Sequence, residues 1–463
     1  MRQFLSAANL GSLMLAAVPL WLAPGTAHGA SAASCSVGGA APCAERLVLW
    51  REFAGAQASR LIERGLEANT DILVAVARLD AARAQVRIAG GRLSPTLGLN
   101  GAGSGTLAAS GANPLQTVQS ASGQVALAYE VDLFGAIRKG QRAAREEMRS
   151  AQFTADAVAL AVCAQILETY VRISALEAQA DMLSEQVDAV LALKTVIDRR
   201  SAEHESSAVE RGLIAQQLSS LYAEQANLAE LRAQYATNLA VLLGQDMGEG
   251  EALERNEVVA FDTISLRAIA SEQPLARLDE RPDILAAQAA LRAAQINAEA
   301  VKAAQKPGLR ITASGLLGVV SGGIAALANL TTSLAANLFE GGAITGRNEQ
   351  AEANARLALA RYDQTRITAA GEAISALAGL AAARSRETAW QDALSPISRA
   401  AQNANYAYLD GDLPFNLVID TRRNAIITRR ALIEARESRL LAQIDVMRAM
   451  GAQPAWAGPP PVW

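Results

Sequence analysis

Several residue types are too scarce in this chain to support most kinds of chemistry. The two histidines, His28 and His204, and the three cysteines, Cys35, Cys43 and Cys163, have no metal-ligand spacing. This excludes a zinc site and a histidine-based triad, so neither a bound metal, a cofactor nor an enzymatic activity is expected. Aromatics are only 4% of the residues although 51% are hydrophobic, and alanine dominates. Such thin apolar side chains suit close helix packing better than a bulky globular core. The net charge of −4, with both signs interspersed, gives no basic stripe for nucleic acid. Beyond the N-terminus there is no run of about 18 uninterrupted strongly apolar residues, so no membrane-spanning helix is expected and any crossing would use strands.

The N-terminus reads as a secretory leader over residues 1–34: Arg2, the apolar stretch "LGSLMLAAVPLWLA" from Leu10 to Ala23, then small residues through Ser34. Cys35 has two readings. Small residues precede it as they would at a bacterial lipoprotein cleavage site, which would make it the acylated first residue of the mature chain. Alternatively, cleavage near Gly29 or Ala30 leaves Cys35 and Cys43 free to pair in an oxidising compartment. Cys163, within a helical pattern, reads as a small buried residue.

What the chain has in quantity is self-similarity. "DILVAVARLDAARAQVRIAGGRLSP" from Asp71 to Pro95 is matched 212 positions later by "DILAAQAALRAAQINAEAVKAAQKP" from Asp283 to Pro307, with nine of 25 paired positions identical. Each copy reads as a helix stopped by a proline. Past the prolines, "YEVDLFGAIRKGQ" at Tyr129–Gln141 corresponds to "LAANLFEGGAITGRNEQ" at Leu334–Gln350, aligned on Leu-Phe at an offset of 205. The intervening loop is therefore seven residues longer in the first copy. Two internal repeats are expected, ending at Leu243-Gly244 and Met450-Gly451.

Within the first copy a helix is expected from about Leu61 to Gly90. Further on, Val125, Leu127, Tyr129, Val131 and Leu133 alternate with Ala126, Ala128, Glu130 and Asp132, the period of a strand with one apolar face. Leu97 and Leu99 begin its partner strand, and the Gly/Ser/Asn-rich stretch between them is expected to be hairpin loop. A pair of strands inserted between long helices, with few large side chains to cover it, points to a transmembrane barrel. Glu130 and Asp132 would then be candidate lumen residues favouring cations, the plain alternative being simple solvation.

From about Arg142 to Arg200, Ile166, Ile173, Ala180 and Val187 occupy one heptad position and Leu176, Leu183, Val190 and Ile197 another. Ile214, Leu221, Leu228, Tyr235 and Leu242 continue the spacing in the next helix. Strict heptads predict left-handed supercoiling of long helices.

"ERPDILAAQ" at Glu280–Gln288, "NLFEGG" at Asn337–Gly342, "YEVDLFG", "LDGDLPFNLVIDTRR" at Leu409–Arg423 and the terminal Met450-Gly451 resemble the outer-membrane efflux family of TolC-like channels, in particular its RND-type lipoprotein branch. "CSVG" at Cys35–Gly38 is similar to the start of that branch's mature chain. The resemblance implies a mainly α fold with a small transmembrane β part: a homotrimer whose shared 12-stranded β-barrel in outer-membrane lipid continues as a long periplasmic α-helical barrel. It implies a passive conduit exporting small toxic compounds, docked to a periplasmic adaptor (a membrane fusion protein) and an inner-membrane RND pump. It also places a gate at the periplasmic helix tips, with Asp420 at the aspartate position, Arg423 beside it, and Asn416 where leucine is usual. The plain alternative for Asp420 is an ion pair with Arg422 or Arg423.

The expected division is a leader at 1–34, an N-terminal segment at 35–60, the first repeat at 61–244, a linker at 245–274, the second repeat at 275–451 and a tail at 452–463. Readings of other classes are a periplasmic coiled-coil adaptor or rod, and a channel for type I protein secretion or metal efflux.

Overall fold

The computed structural model describes residues 50, 53–108, 116–202, 208–245, 260–269, 275–320, 323–337 and 339–451. The leader, Cys35, Cys43, His204 with its neighbours at 203–207, and the tail lie outside the described residues.

Helices α1 (Ala56–Ala68) and α2 (Thr70–Gly91) stand where one helix from Leu61 was expected. Asn69 divides them. Its backbone is extended (φ −63°, ψ 128°), and its Oδ1 accepts from the Asp71 and Ile72 amides at 2.9 and 3.2 Å, starting α2 with a side-chain cap. Its Nδ2 donates to the Leu242 carbonyl at 2.9 Å, so the break is fastened to the end of a distant helix.

Strands β1 (Thr96–Ala108) and β2 (Gln116–Val131) follow, then α3 (Ala136–Ala202) and α4 (Ala208–Leu242). After short 3-10 turns at Phe261–Thr263 and Leu275–Glu280 come α5 (Pro282–Ala304), β3 (Gly308–Val320), β4 (Gly323–Ala335), α6 (Ala343–Leu409) and α7 (Phe415–Ala449). Helices α3 and α6 have 67 residues each, and α4 and α7 have 35 each. At 1.5 Å per residue the longer ones reach about 100 Å. Corresponding elements begin at matching spacings: β1 and β3 are 212 positions apart, α3 and α6 207. The strand bounds put the extra residues of the first half at the hairpin, 109–115 against 321–322, and in the longer β2. Pro396, inside α6, has no amide hydrogen for the helix ladder, and Ala189 stands at the matching position of α3.

The heptad residues Ile166, Ile173, Leu176, Leu183, Val187, Val190, Ile197, Ile214, Leu221 and Leu228 are buried, with Ala180, Tyr235 and Leu242 half-buried. They feed two apolar clusters. One joins Trp50, Phe53, α1, α3, the Phe261–Ile269 segment and the C-terminal part of α7; the other joins the outer parts of α3 and α4 to Tyr408, Phe415 and Val418. Contrary to the sequence reading, α3 is long and apolar enough by composition to cross a membrane. Val162, Cys163, Ala164, Ile166 and Leu167 instead lie buried in the first cluster, because valine and alanine here serve close helix packing.

The strands form one antiparallel sheet in the order β1-β2-β3-β4. The Gly/Ser/Asn-rich stretch expected as loop is strand: Asn100 to Ala108 pairs residue for residue with Gln124 to Gln116. Small side chains do not prevent pairing, since every ladder bond comes from the backbone. Among the described residues the outer sides of β1 and β4 remain unpaired.

Candidate functional site

The register sorts the sheet into two unlike faces. Leu97 lies opposite Leu127, Leu127 opposite Ala313, and Ala313 opposite Leu330; Leu99, Val125, Tyr129, Val131, Ile311, Leu317, Val319 and Ile324 share that side. Large apolar residues here are open, with Leu99 79% and Ile324 81% exposed. The other face carries Thr96, Ala128, Thr312 and Thr331 in one row and Gly98, Ala126, Ser314 and Asn329 in the next. Along β2 the odd positions 121–127 are exposed and the even ones, 122–128, half-buried, so the apolar side is the more open. An outward apolar band over an inward face of hydroxyls and small residues matches the pattern of a barrel wall.

Glu130 lies on the polar face, directly opposite Arg310, which is followed across the sheet by Ser333. Arg310 escaped the sequence reading because only the β2–β3 register brings the two together. A cation neighbours the proposed cation-favouring carboxylate, so Glu130 cannot be treated as an isolated negative charge.

Asp132 does something other than line the strand. Its Oδ1 accepts from the Ile137 amide (3.1 Å), and its Oδ2 from the Arg138 amide (2.9 Å) and the Arg138 guanidinium Nε (3.1 Å). The side chain is only 8% exposed. Burial pushes its carboxyl up, but the Arg138 and Ile137 amides, with the Arg138 guanidinium, together hold it below the usual carboxylate range. The lumen assignment is therefore corrected: Asp132 fastens the start of α3 to the end of β2. The positive end of the helix explains the attraction and also the early start of α3. At the equivalent place in the second half, Asn337 donates to Glu340, which pairs with Arg347.

At the far end, α6 turns into α7 through Asp410, Gly411 and Pro414, with Gly411 at φ +85°. Phe415 and Val418 are buried, and Phe415 packs in a tilted arrangement on Tyr408, 5.4 Å between ring centroids. Asn416, Asp420 and Arg423 are exposed. Their i, i+4, i+7 spacing puts them on one stripe of α7. Among the described residues no ion pair joins Asp420 to Arg422 or Arg423. Arg422 turns instead to Asn405 on α6, at 2.8 Å from Nη2, and burial lowers the pKa of its guanidinium. Residues 207 positions before Asn416 and Asp420 are Val209 and Leu213, both exposed at the start of α4. Apolar side chains thus occupy the matching places in the first half. The repeat offset was the signal that would have found them.

Two stretches, residues 61–244 and 276–452, match the model of the outer membrane efflux protein family. The chain belongs to this family. Among its relatives is the pyoverdine export outer membrane protein OpmQ of Pseudomonas aeruginosa, 27% identical over 426 residues, covering 87% of this chain and 86% of that one. The outer membrane protein OprJ of the same organism is 28% identical over 415 residues, covering 87% and 85%. A crystal structure of a membrane protein from Pseudomonas aeruginosa superposes with a TM-score of 0.79 at 26% identity, covering 87% of this chain and 94% of that one. Membership of an outer-membrane efflux family sets aside the adaptor and soluble-rod readings. The two-faced sheet and the long helices are accordingly those of an efflux protein at the outer membrane, reaching into the periplasm.

Proposed function

We propose that three copies of this chain close one 12-stranded barrel and one helical tube, which together form a passive conduit for small compounds in a tripartite RND-type system. The observation that carries the assembly is a mismatch between equivalent helices. Ala286, Ala289, Ala293 and Ala300 of α5 are buried against α3 and α6, whereas Val74, Ala77, Ala81 and Ile88 at the matching positions of α2 are exposed, Ile88 at 63%. Helix α5 lies between two long helices, α3 and α6, whereas among the described long helices α2 packs chiefly on α3. By repeat symmetry the missing neighbour of α2 is α6 of another copy, where Ile367 and Ile374 are exposed. A head-to-tail contact of this kind generates a ring. The same ring pairs the bare edge of β4 with that of the next β1. Four strands cannot close a barrel, and three copies supply twelve.

In this reading the conduit performs no bond chemistry, and the energy for transport comes from an inner-membrane pump reached through a periplasmic adaptor. Asn416, Asp420 and Arg423 form the periplasmic aperture, Val209 and Leu213 supply the apolar part that Asn416 does not, and Glu130 with Arg310 lines the lumen. Acyl chains on Cys35 add a second membrane attachment. Pyoverdine export, named for the relative OpmQ, favours small compounds over secreted proteins as the cargo.

The test is purification from membranes in detergent, followed by heat-modifiability on gels and reconstitution into planar bilayers. A heat-dissociable trimer that gives discrete channels is expected. A monomer without channel activity overturns the proposal.

A further inference from the structure

The two halves of the chain correspond number by number. Helices α2 and α5 begin 212 positions apart, while α3 and α6, like α4 and α7, both begin and end 207 apart. On the side of α3 that takes α5, Lys139 pairs with Glu299 at 3.2 Å and Ser150 Oγ donates to the Ala286 carbonyl at 2.9 Å. Further along, Glu185 of α3 pairs with Arg429 of α7 at 2.6 Å. Carried across to the other half, these contacts would join α6 to α2 and α6 to α4. Neither α2 nor α4 packs along α6 among the described residues.

The residues at the carried-over positions nevertheless match one another in chemistry. Ala286 and Ser150 become Val74 and Leu357, 48% and 49% exposed. Arg429 and Glu185 become Tyr222 and Asp392, both exposed, a phenol donor for a carboxylate acceptor. Glu299 becomes Arg87. Lys139 becomes Gly346, but Arg142, one turn further along α3, becomes Glu349. An acid facing cations inside the chain is thus replaced by an exposed cation matched to an exposed acid. Arg87, Glu349 and Asp392 have no ion-pair partner among the described residues.

We propose that these side chains are where one copy recognises the next: Arg87 meets Glu349 of the neighbouring copy, Val74 its Leu357 and Tyr222 its Asp392. This rests on the ring reading above and names the contacts along its seams. Glu349 and Asp392 are about 65 Å apart on α6, so the three contacts fix the register of the seam over most of its length. The reversed sign also separates two halves that are otherwise alike. An α2 seated on the α3 side that takes α5 would set Arg87 against Lys139 and Arg142, and an α5 seated on a neighbour's α6 would set Glu299 against Glu349. Both wrong pairings bring like charges together, and only the correct head-to-tail order leaves each charge with its opposite.

The test uses the full-length protein in outer membranes, with Cys43→Ala and Cys163→Ala as background. Oxidation of Val74→Cys/Leu357→Cys is expected to join chains into dimers and trimers on non-reducing gels, whereas neither single variant does so. Co-expression of two differently tagged chains, one with Val74→Cys and the other with Leu357→Cys, should give a mixed dimer carrying both tags. Tyr222→Cys/Asp392→Cys should behave alike with a short bismaleimide, which spans the longer side chains that these cysteines replace. Cross-links confined to single chains overturn the assignment.

Charge reversal tests the recognition itself. Arg87→Glu and Glu349→Lys should each lower the cross-linked fraction about fivefold or more, because every seam of the ring then sets like charges together. The double variant Arg87→Glu/Glu349→Lys should recover most of it, which a general folding defect would not allow. Single variants equal to the background, or a double variant no better than either, overturn recognition by this pair. Intact trimers without a Val74→Cys/Leu357→Cys cross-link overturn the seam while leaving the ring, and a monomer in the membrane overturns both.

Discussion

Asn69 and Arg281, 212 positions apart, make the same fastening in the two halves of the chain. Asn69 Nδ2 donates to the Leu242 carbonyl and Arg281 Nη1 to the Ala449 carbonyl, each at 2.9 Å, and these two carbonyls are 207 positions apart. Two different offsets thus converge on one piece of geometry: the start of the inner helix tied to the last turn of the outer one. Beside each carbonyl the chain leaves its helix through a glycine in the left-handed region, Gly244 at φ +66° and Gly451 at φ +62°. A Cβ on Gly244 would lie 2.2 Å from the Ala68 carbonyl oxygen, so the approach itself requires glycine. Arg281 adds ion pairs with Asp283 and Glu372 at 2.8 and 2.9 Å.

Replacing Asn69 by Ala leaves two helix amides and the Leu242 carbonyl without their partners, at a cost of roughly 2 kcal/mol. Asn69→Asp keeps the cap but loses the donor, so its cost should be smaller. Arg281→Ala should also destabilise. Buried Trp50 belongs to the apolar cluster that includes Ala449 and packs against Leu242, and its fluorescence during denaturation in detergent provides the readout. An unmoved midpoint in Asn69→Ala counts against the fastening.

Asp132→Ala is expected to cost about 0.5–2 kcal/mol by releasing the first turn of α3. The sign of its pH dependence follows from a folded-state pKa held below the unfolded value. The contribution is present in full above the unfolded aspartate value of about 3.9, and is lost as pH falls through the lower folded value. The stability gap between wild type and Asp132→Ala should therefore be constant near neutrality and close in strong acid. A gap that persists unchanged at pH 2 would falsify the ionic part of the account.

On the sheet, a charge at Leu127 should be disruptive and one at Ala126 tolerated. Leu127→Arg is expected to cost about 2–4 kcal/mol near the bilayer midplane, against little for Ala126→Arg on the other face. The yield of heat-modifiable protein in the outer membrane measures this. Equal yields from the two variants would reverse the facing assignment.

If the proposed trimer brings three Asp420 side chains around one axis, they repel one another there, and Arg423, one turn further along the same stripe, is the cation placed to offset them. Asp420→Ala and Arg423→Ala should both loosen closure, raising unitary conductance and sensitising cells to large antibiotics such as vancomycin. Arg422→Ala acts differently, by breaking the tie to Asn405 between α6 and α7. Intact trimers with unchanged conductance in both of the first two variants would move the gate elsewhere.

Mass spectrometry of the mature N-terminus should show acylated Cys35. An unmodified peptide beginning near Ala30 or Ser31 would instead support cleavage upstream of it.

The helices could be read from the amino-acid sequence because heptad positions such as Ile173 and Leu221 are buried by close neighbours along the chain. The break at Asn69 was missed because alanine-rich periodicity runs straight through it, and the capping side chain acts only once Leu242 arrives from far away in sequence. Asp132 alternates correctly with its strand neighbours, so periodicity assigned it to the lumen; the attraction of the α3 amides decides its position. Arg310 was invisible for a related reason, since nothing local to Glu130 announces which residue of a strand 180 positions away will lie opposite. The glycine-rich strand was hidden because propensity scores side chains, whereas the ladder is made by the backbone.

The two bare edges of the sheet have a thermodynamic consequence for the chain. A four-stranded ribbon with unpaired outer amides and carbonyls has no lipid-stable form by itself, since hydrocarbon supplies no partner for either row. In the proposed ring the buried clusters hold the helices together at any dilution, whereas the strands depend on encounters with other chains. Their stability therefore scales with protein concentration, by mass action, and a single midpoint cannot describe the molecule. Dilution in detergent should release the strands while the long helices persist, with the order reversed during biogenesis: rods first, wall last.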